Sequence, residues 1–179
     1  MHKIGNNMPT FSYVAPSRLE AAFLNGNEDR IIEELRKISS LRTSRRARAS
    51  IITRVLENTE SPRVRNAAAL ALADMRMRSA KEKLIDVLRK PGTRGSRGTI
   101  LYALEELDVN VPLSLLIDLI LNDSYEACQE ALDFIASGKI DFDQDRGEIE
   151  RRLRLSQGRL SKEKSHAVDE ALKYLSTHE

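Results

Sequence analysis

Apolar residues recur three and four positions apart through most of this chain, and the pattern breaks only at short polar stretches. Such spacing gathers them on one face of an α-helix, so the chain reads as a succession of amphipathic helices. Residues 1–16 hold Gly5, Asn6, Asn7, Pro9 and Pro16 with no sustained period, and read as an irregular lead. Ser17 and Glu20 have the spacing of a capping box, in which each side chain satisfies a free amide near the other. A short helix follows with Leu19, Ala22 and Phe23 inward, ended by Asn25-Gly26-Asn27. Ile31, Leu35 and Ile38 predict a helix from Glu28 to about Leu41, with Glu28 and Asp29 at the end where the helix dipole favours acids. Ile51, Ile52, Val55 and Leu56 predict another from Ser44 to Asn58, and Pro62 suits the first position of the next.

The stretch from Ser61 to Lys90 reads as a complete helix-turn-helix unit, and its neighbours are altered copies of it. Ala68, Ala71, Leu72 and Met75 share one helix face; 32 residues on stand Ile100, Ala103, Leu104 and Leu107. A further 28 residues give Cys128, Ala131, Leu132 and Ile135, and another 40 give Val168, Ala171, Leu172 and Leu175. Alanine keeps the same slot each time in a chain that is 31% charged. The following helices repeat too: Ile52, Val55 and Leu56 map at 32 onto Leu84, Val87 and Leu88, and again onto Leu116, Leu119 and Ile120. Ile149 and Leu153 continue the series less cleanly. Repetition at this period predicts a stack of helix pairs, in which a small residue lets neighbouring helices approach and their leucines interlock. The expected fold is all-α, an α-α superhelix of about four to five helix pairs, forming a single domain over residues 17–179. The final helix, Leu160 to Leu175, has no partner helix after it and reads as a cap.

Val64 to Leu72, followed by Ala80 and Leu84 to Leu88, resembles a HEAT repeat, and more narrowly the HEAT-like repeats of phycobilin lyases. The resemblance covers roughly residues 28–179, and departs from the pattern at Ala73, Ser96 and Tyr125, where glycine, valine and arginine are usual. It implies a right-handed superhelix whose second helices line a concave groove, and a role in binding another macromolecule. One branch of such proteins excises alkylated bases with an aromatic-lined basic cleft, but this chain has no Trp and only 4 Tyr and 4 Phe with which to furnish one. The nearest repeat type implies phycobilin-lyase activity, yet a repeat is not the enzyme.

Composition and charge narrow the function classes. The 41% of hydrophobic residues supports one buried core, and the few glycines and prolines favour helix over sheet. The single cysteine, Cys128, reads as a small buried residue and, with no Cys/His cluster at zinc spacing, points to a reducing, cytoplasmic setting. The N-terminal residues lack the apolar run of a signal peptide, and no stretch approaches about 20 apolar residues, so no membrane association is expected. Net charge is +2, but residues 1–100 hold 20 Lys+Arg against 10 Asp+Glu while residues 101–179 hold 9 against 17. In a solenoid this split makes a basic end and an acidic end.

No nucleophile has a base at recognisable spacing, and His2, His166 and His178 are scattered, so neither an enzyme, a metal site nor a cofactor is expected. Asp141, Asp143 and Asp145 alternate as in a calcium loop but lack its glycine and terminal glutamate, and read as a solvated turn. Pro91 to Gly98 is the most flexible-looking linker, a basic turn with three glycines that lacks the lysine and hydroxyl of a phosphate-binding loop. Arg65 and Arg97 occupy one repeat slot and read as a structural ladder between units. The remaining basic cluster supplies the candidate partner-binding residues: Arg42, Arg45, Arg46, Arg48, Arg54, Arg89 and Arg94. Their chemistry suits an acidic partner, a protein in the first reading and a nucleic acid in the alternative. Self-association of basic end with acidic end is a third possibility.

Overall fold

The structure, a computed structural model, describes residues 18–38 and 44–177. Ten α-helices follow one another among these residues: α1 (Arg18–Leu24), α2 (Glu28–Ile38), α3 (Arg45–Asn58), α4 (Pro62–Asp74), α5 (Lys81–Arg89), α6 (Gly98–Glu106), α7 (Leu113–Asn122), α8 (Tyr125–Ala136), α9 (Arg146–Ser156) and α10 (Lys162–Thr177). The architecture is the expected all-α solenoid. Helices α2, α4, α6, α8 and α10 pack in succession as one layer, while α3 meets α5 and α7 meets α9 in the second. Order along the stack is therefore order along the sequence, and the basic and acidic halves of the chain occupy opposite ends.

The repeat arithmetic predicts the core. Every member of the four quartets is buried except Leu132, which is partly exposed. Ile52, Val55, Leu56, Leu84, Val87, Leu88, Leu116, Leu119, Ile120, Ile149 and Leu153 are buried as the second-helix series requires. Ile51 and Phe23 lie only partly within the core, at its margin. The alanine slots, Ala71, Ala103, Ala131 and Ala171, are at most 4% exposed, and they sit in the layer whose helices approach one another most closely. The second layer is looser, which leaves room between α3 and α5.

Three features of the local structure differ from the sequence reading. The closest antiparallel pairs are α3 with α4 and α7 with α8. The tight hairpin is thus made by the second helix of one unit and the first helix of the next, across the short turns at residues 59–61 and 123–124. Two-residue strands, β1 (Val111–Pro112) and β2 (Ile140–Asp141), form a parallel clip between consecutive units. And the Pro91 to Gly98 linker is tied down. Thr93 is buried and its hydroxyl donates at 2.7 Å to the Lys90 carbonyl, while the Gly95 amide donates at 2.9 Å to the Asp123 carboxylate. The chain's own carboxylate, from the turn after α7, thus takes the Gly95 amide.

Helix ends follow their sequence signals where these are local. Pro62 begins α4 behind Ser61, whose hydroxyl accepts from the Val64 amide at 3.3 Å. Asp145 caps α9 by accepting from the Glu148 amide at 3.0 Å, and Gly26, at φ 66°, ends α1. The predicted capping box at Ser17, the irregular lead, the end of α2 beyond Ile38, His2 and His178 lie outside the described residues.

Candidate interaction site

The arginines divide by the helix end from which they project. Arg65, on α4, and Arg97, just before α6, point into the joints between units as the ladder reading expected. Arg65 is 4% exposed and donates to Ser96 at 3.1 Å and to the Glu60 carbonyl at 3.3 Å; burial pushes its pKa below the ordinary arginine value. Arg97 donates at 2.8 Å to Asp123, whose carboxylate is wholly buried, and at 2.9 Å to Thr93. The Gly95 and Ser124 amides also donate to Asp123, so the buried charge is paired and solvated by the protein.

A second ladder runs along the turns that join the two helices of each unit. After α4, α6 and α8 the backbone takes one residue in the left-handed region: Arg76 at φ 51°, Asp108 at φ 53° and Gly138 at φ 69°. Their amides close the helices by donating to Ala73, Glu105 and Ile135 carbonyls at 2.7, 2.8 and 3.1 Å. Each turn ends in carbonyl groups at the negative pole of a helix, where a cation is favoured. The preceding unit supplies it. Arg45 donates to the Met75 carbonyl and, at 2.8 Å, to that of Arg76. Arg78 repeats the contact one unit on, at 2.9 Å to Leu107 and 2.5 Å to Asp108, and also grips the Asp108 carboxylate. At the fourth unit Lys81, at 3.1 Å, and Asn110, at 3.2 Å, hold Asp141.

The acids in these turns are neutralised where they occur. Lys139, 3.2 Å away, and Arg78 hold the Asp108 carboxyl below its usual range, with Lys139 the larger influence. The hydrogen bond from Lys81 does most to lower Asp141. Ser114 takes Asp143, so the three acids of the Asp141 to Asp145 turn are each committed to a structural bond. Among the described residues no group of His, Cys, Asp and Glu could hold a metal ion. Cys128 is buried, and that burial raises its thiol pKa.

Two adjoining clefts open on the second layer. One, of about 360 Å³, lies between α3 and α5, with Ala49, Met77 and Ala80 as apolar floor and Arg46, Arg54 and Lys83 as its cations. The other, of about 340 Å³, is ringed by Arg45, Arg46, Arg76 and Arg78 with Met77 and Ser79. The structure thus brings Arg45, Arg46 and Arg54 to one surface. Arg48 turns back to the Ile38 carbonyl at 2.6 Å, and Arg54 to Glu20 at 3.3 Å. Arg89, at the far end of α5 roughly 13 Å along that helix, and Arg94, in the linker beyond it, are exposed and line neither cleft. Arg42 lies outside the described residues. Arg76, Arg78 and Lys83 are not among the predicted partner-binding residues. The available signal was the spacing of 33 from Arg45 to Arg78, close to the repeat period.

Charge in the larger cleft is partly answered, since Lys83 pairs with Glu57 at 2.8 Å. In the smaller one, Arg45, Arg46 and Arg76 have no carboxylate partner among the described residues, and the nearest acceptor to Arg76 is the Glu106 carbonyl at 3.4 Å. The opposite end of the molecule has the reverse imbalance. Glu130 on α8 is pushed up by burial and then by Asp133, Glu105 and Glu126.

Residues 49–133 match the family model of HEAT repeats, a little under half of the chain. The match covers most of α3 and runs through α8, and so contains the clearest copies of the unit. HEAT repeats generally serve as interaction scaffolds. No curated protein and no solved structure matches the chain. Among the described residues no helix is long and apolar enough to cross a membrane.

Proposed function

We propose that the protein is a non-catalytic adaptor whose second-layer groove, at α3 and α5, grips an acidic segment of a partner protein. The observation that carries this reading is the ring of Arg45, Arg46, Arg76 and Arg78 at the head of a groove with an apolar floor. Apolar contact supplies area and the guanidinium groups supply orientation and attraction. The unit is nearest to the phycobilin-lyase type of HEAT-like repeat over Val64 to Leu72 and Leu84 to Leu88, a likeness of the repeat and not an assignment of lyase activity. Buried Cys128 suits a reducing cytoplasm.

The nucleic-acid alternative uses the same arginines but has less to support it. A single-strand binder stacks bases on aromatic rings. The groove lining has none; the exposed Tyr102 and Tyr125 are on α6 and α8, with the acids.

A photo-crosslinker at Ser50, in the groove, tests both readings when compared with one at Asp118, on the acidic half. The expected result is a protein adduct at Ser50 that disappears in Arg46→Glu and weakens with salt. Adducts of equal strength at both positions would sink the site. Retention of DNA or RNA at about 50 mM salt, falling with a log–log slope near −0.9 per phosphate, would transfer the site to the alternative.

A further inference from the structure

The turns of the second, third and fourth units each hold one left-handed residue and differ in the charge placed there. At the third unit the residue in the left-handed region is an acid, Asp108, and Arg78 and Lys139 close on it. At the fourth the left-handed residue is Gly138, and Asp141, three residues on in β2, is held by Lys81 and Asn110. At the second, the forward-reaching cation is present as Arg45, but the residue opposite is Arg76, and Arg45 finds only neutral carbonyls. Among the described residues no carboxylate pairs with Arg45 or Arg76 here, whereas Asp108 pairs with Arg78 at the third joint. A long side chain is kept there in a conformation unfavourable to a non-glycine residue, although the fourth unit has Gly138 at the corresponding left-handed position.

From this we infer that the cleft ringed by Arg45, Arg46, Arg76 and Arg78 takes a phosphoryl monoester, phosphoserine or phosphothreonine, carried on the partner protein. The inference rests on the adaptor reading and makes its acidic partner specific. Three guanidinium groups without a carboxylate exceed what one aspartate or glutamate would neutralise. A phosphoryl monoester brings about 1.5 to 2 negative charges and three acceptor oxygens. All four cations are arginines, whose planar forks match such oxygens in pairs, whereas lysine acts as a point charge. Ser79 adds a hydroxyl to the lining.

A phosphodiester backbone fits less well, because it needs cations in succession. Beyond this cleft Lys83 is paired with Glu57, Arg54 with Glu20, and Arg48 with the Ile38 carbonyl. One patch of high positive charge, flanked by Lys83, Arg54 and Arg48 that already hold an acceptor, suits a single group better than a track.

The test uses the full chain and three fluorescent peptide libraries of equal length, degenerate except for a central phosphoserine, aspartate or serine, with a single-stranded oligodeoxythymidylate as fourth probe. Anisotropy at physiological salt should rank phosphoserine roughly tenfold or more above aspartate, with serine and the oligonucleotide weaker still. Arg76→Asp places in the second turn the carboxylate that Asp108 provides in the third, and should reduce phosphoserine binding by roughly tenfold or more. Arg76→Gly removes the guanidinium while suiting the backbone, and should do the same if Arg76→Asp fails to fold. Equal binding of the phosphoserine and aspartate libraries overturns the phosphoryl assignment and leaves the acidic-partner reading standing. No binding of either library overturns both. Binding that survives both Arg76 variants overturns the site, and preference for the oligonucleotide overturns the choice of partner.

Discussion

The turn after α4 and the turn after α6 both open on a left-handed residue, and that residue carries opposite charge in the two. Arg76 and Asp108 stand 32 residues apart, within 2° of each other in φ, each closing its helix through a left-handed residue. Around Asp108 the molecule is electrostatically complete: Arg78 comes from the unit before and Lys139 from the unit after. Around Arg76 it is not, since Arg45 and Arg46 add charge of the same sign. In a repeat protein the backbone of a joint is set by the buried quartets, and the exposed residue at the joint is then free to serve either the stack or a partner. Asp108 serves the stack. Arg76 is exposed and meets only the Glu106 carbonyl, with no carboxylate partner among the described residues, which is why we place the interaction site there.

The equivalence of the two turns is open to attack at their base. Leu72 and Leu104 occupy the same slot beneath them and are fully buried. Leu72→Ala and Leu104→Ala should each cost about 2 to 5 kcal/mol in chemical denaturation. Costs differing by more than about 2 kcal/mol would show that the two joints are packed differently despite the shared left-handed residue. A smaller effect separates the turns themselves. Arg76→Gly should stabilise the chain by up to about 1 kcal/mol, through relief of the left-handed conformation and of repulsion with Arg45 and Arg46. Asp108→Gly should gain less or lose, because it also releases Arg78 and Lys139. Thermal melts of the pair that moved in the same direction by the same amount would remove the contrast.

The acid–base character of the two regions gives the finest test. The folded pKa of Asp108 lies below its ordinary 3.8, so its pairing stabilises the fold above that pH and is lost as pH falls through the folded pKa. Asp108→Asn should therefore destabilise the protein at neutral pH and be indistinguishable from the parent in strong acid. Glu130 has the opposite sign. Its folded pKa lies above 4.5, so its contribution is present below that value and lost as pH rises through the folded pKa. Glu130→Gln should give a slight gain at pH 7 that vanishes below about pH 4.5. A stability difference independent of pH in either variant would mean the charges are screened and that neither end stores repulsion.

The sequence shows the stack plainly because burial has a period. One slip of register would have put charged residues into the alanine seam, so the quartets and the second-helix series could be placed by counting. What counting missed was set by contacts far apart in the chain. The glycines of the 91–98 linker suggested mobility, but Asp123, 28 residues beyond Gly95, holds it still. Strands β1 and β2 are two residues each, too short to carry a period. The arginines were legible as charge and not as geometry. A guanidinium group on a long stem reaches a carbonyl, a carboxylate or solvent with equal ease, so Arg48 and Arg46, two positions apart, go to different tasks. Only the register of each unit against the next, which sets Arg45 opposite Arg76 and Arg78 opposite Asp108, tells them apart.

The uneven spacing of the two layers has a mechanical corollary. The alanine seam is a spine, and the helices α3 and α5 are ribs that fan out from it. With layers about 10 Å apart, a rocking of one unit against the next by roughly 10° about the spine shifts the rib tips by only about 2 Å and disturbs the seam hardly at all. That displacement is comparable to the reach of an arginine's fork. A change in the width of the cleft between α3 and α5 can therefore come from small tilts of these helices, with the seam left in place.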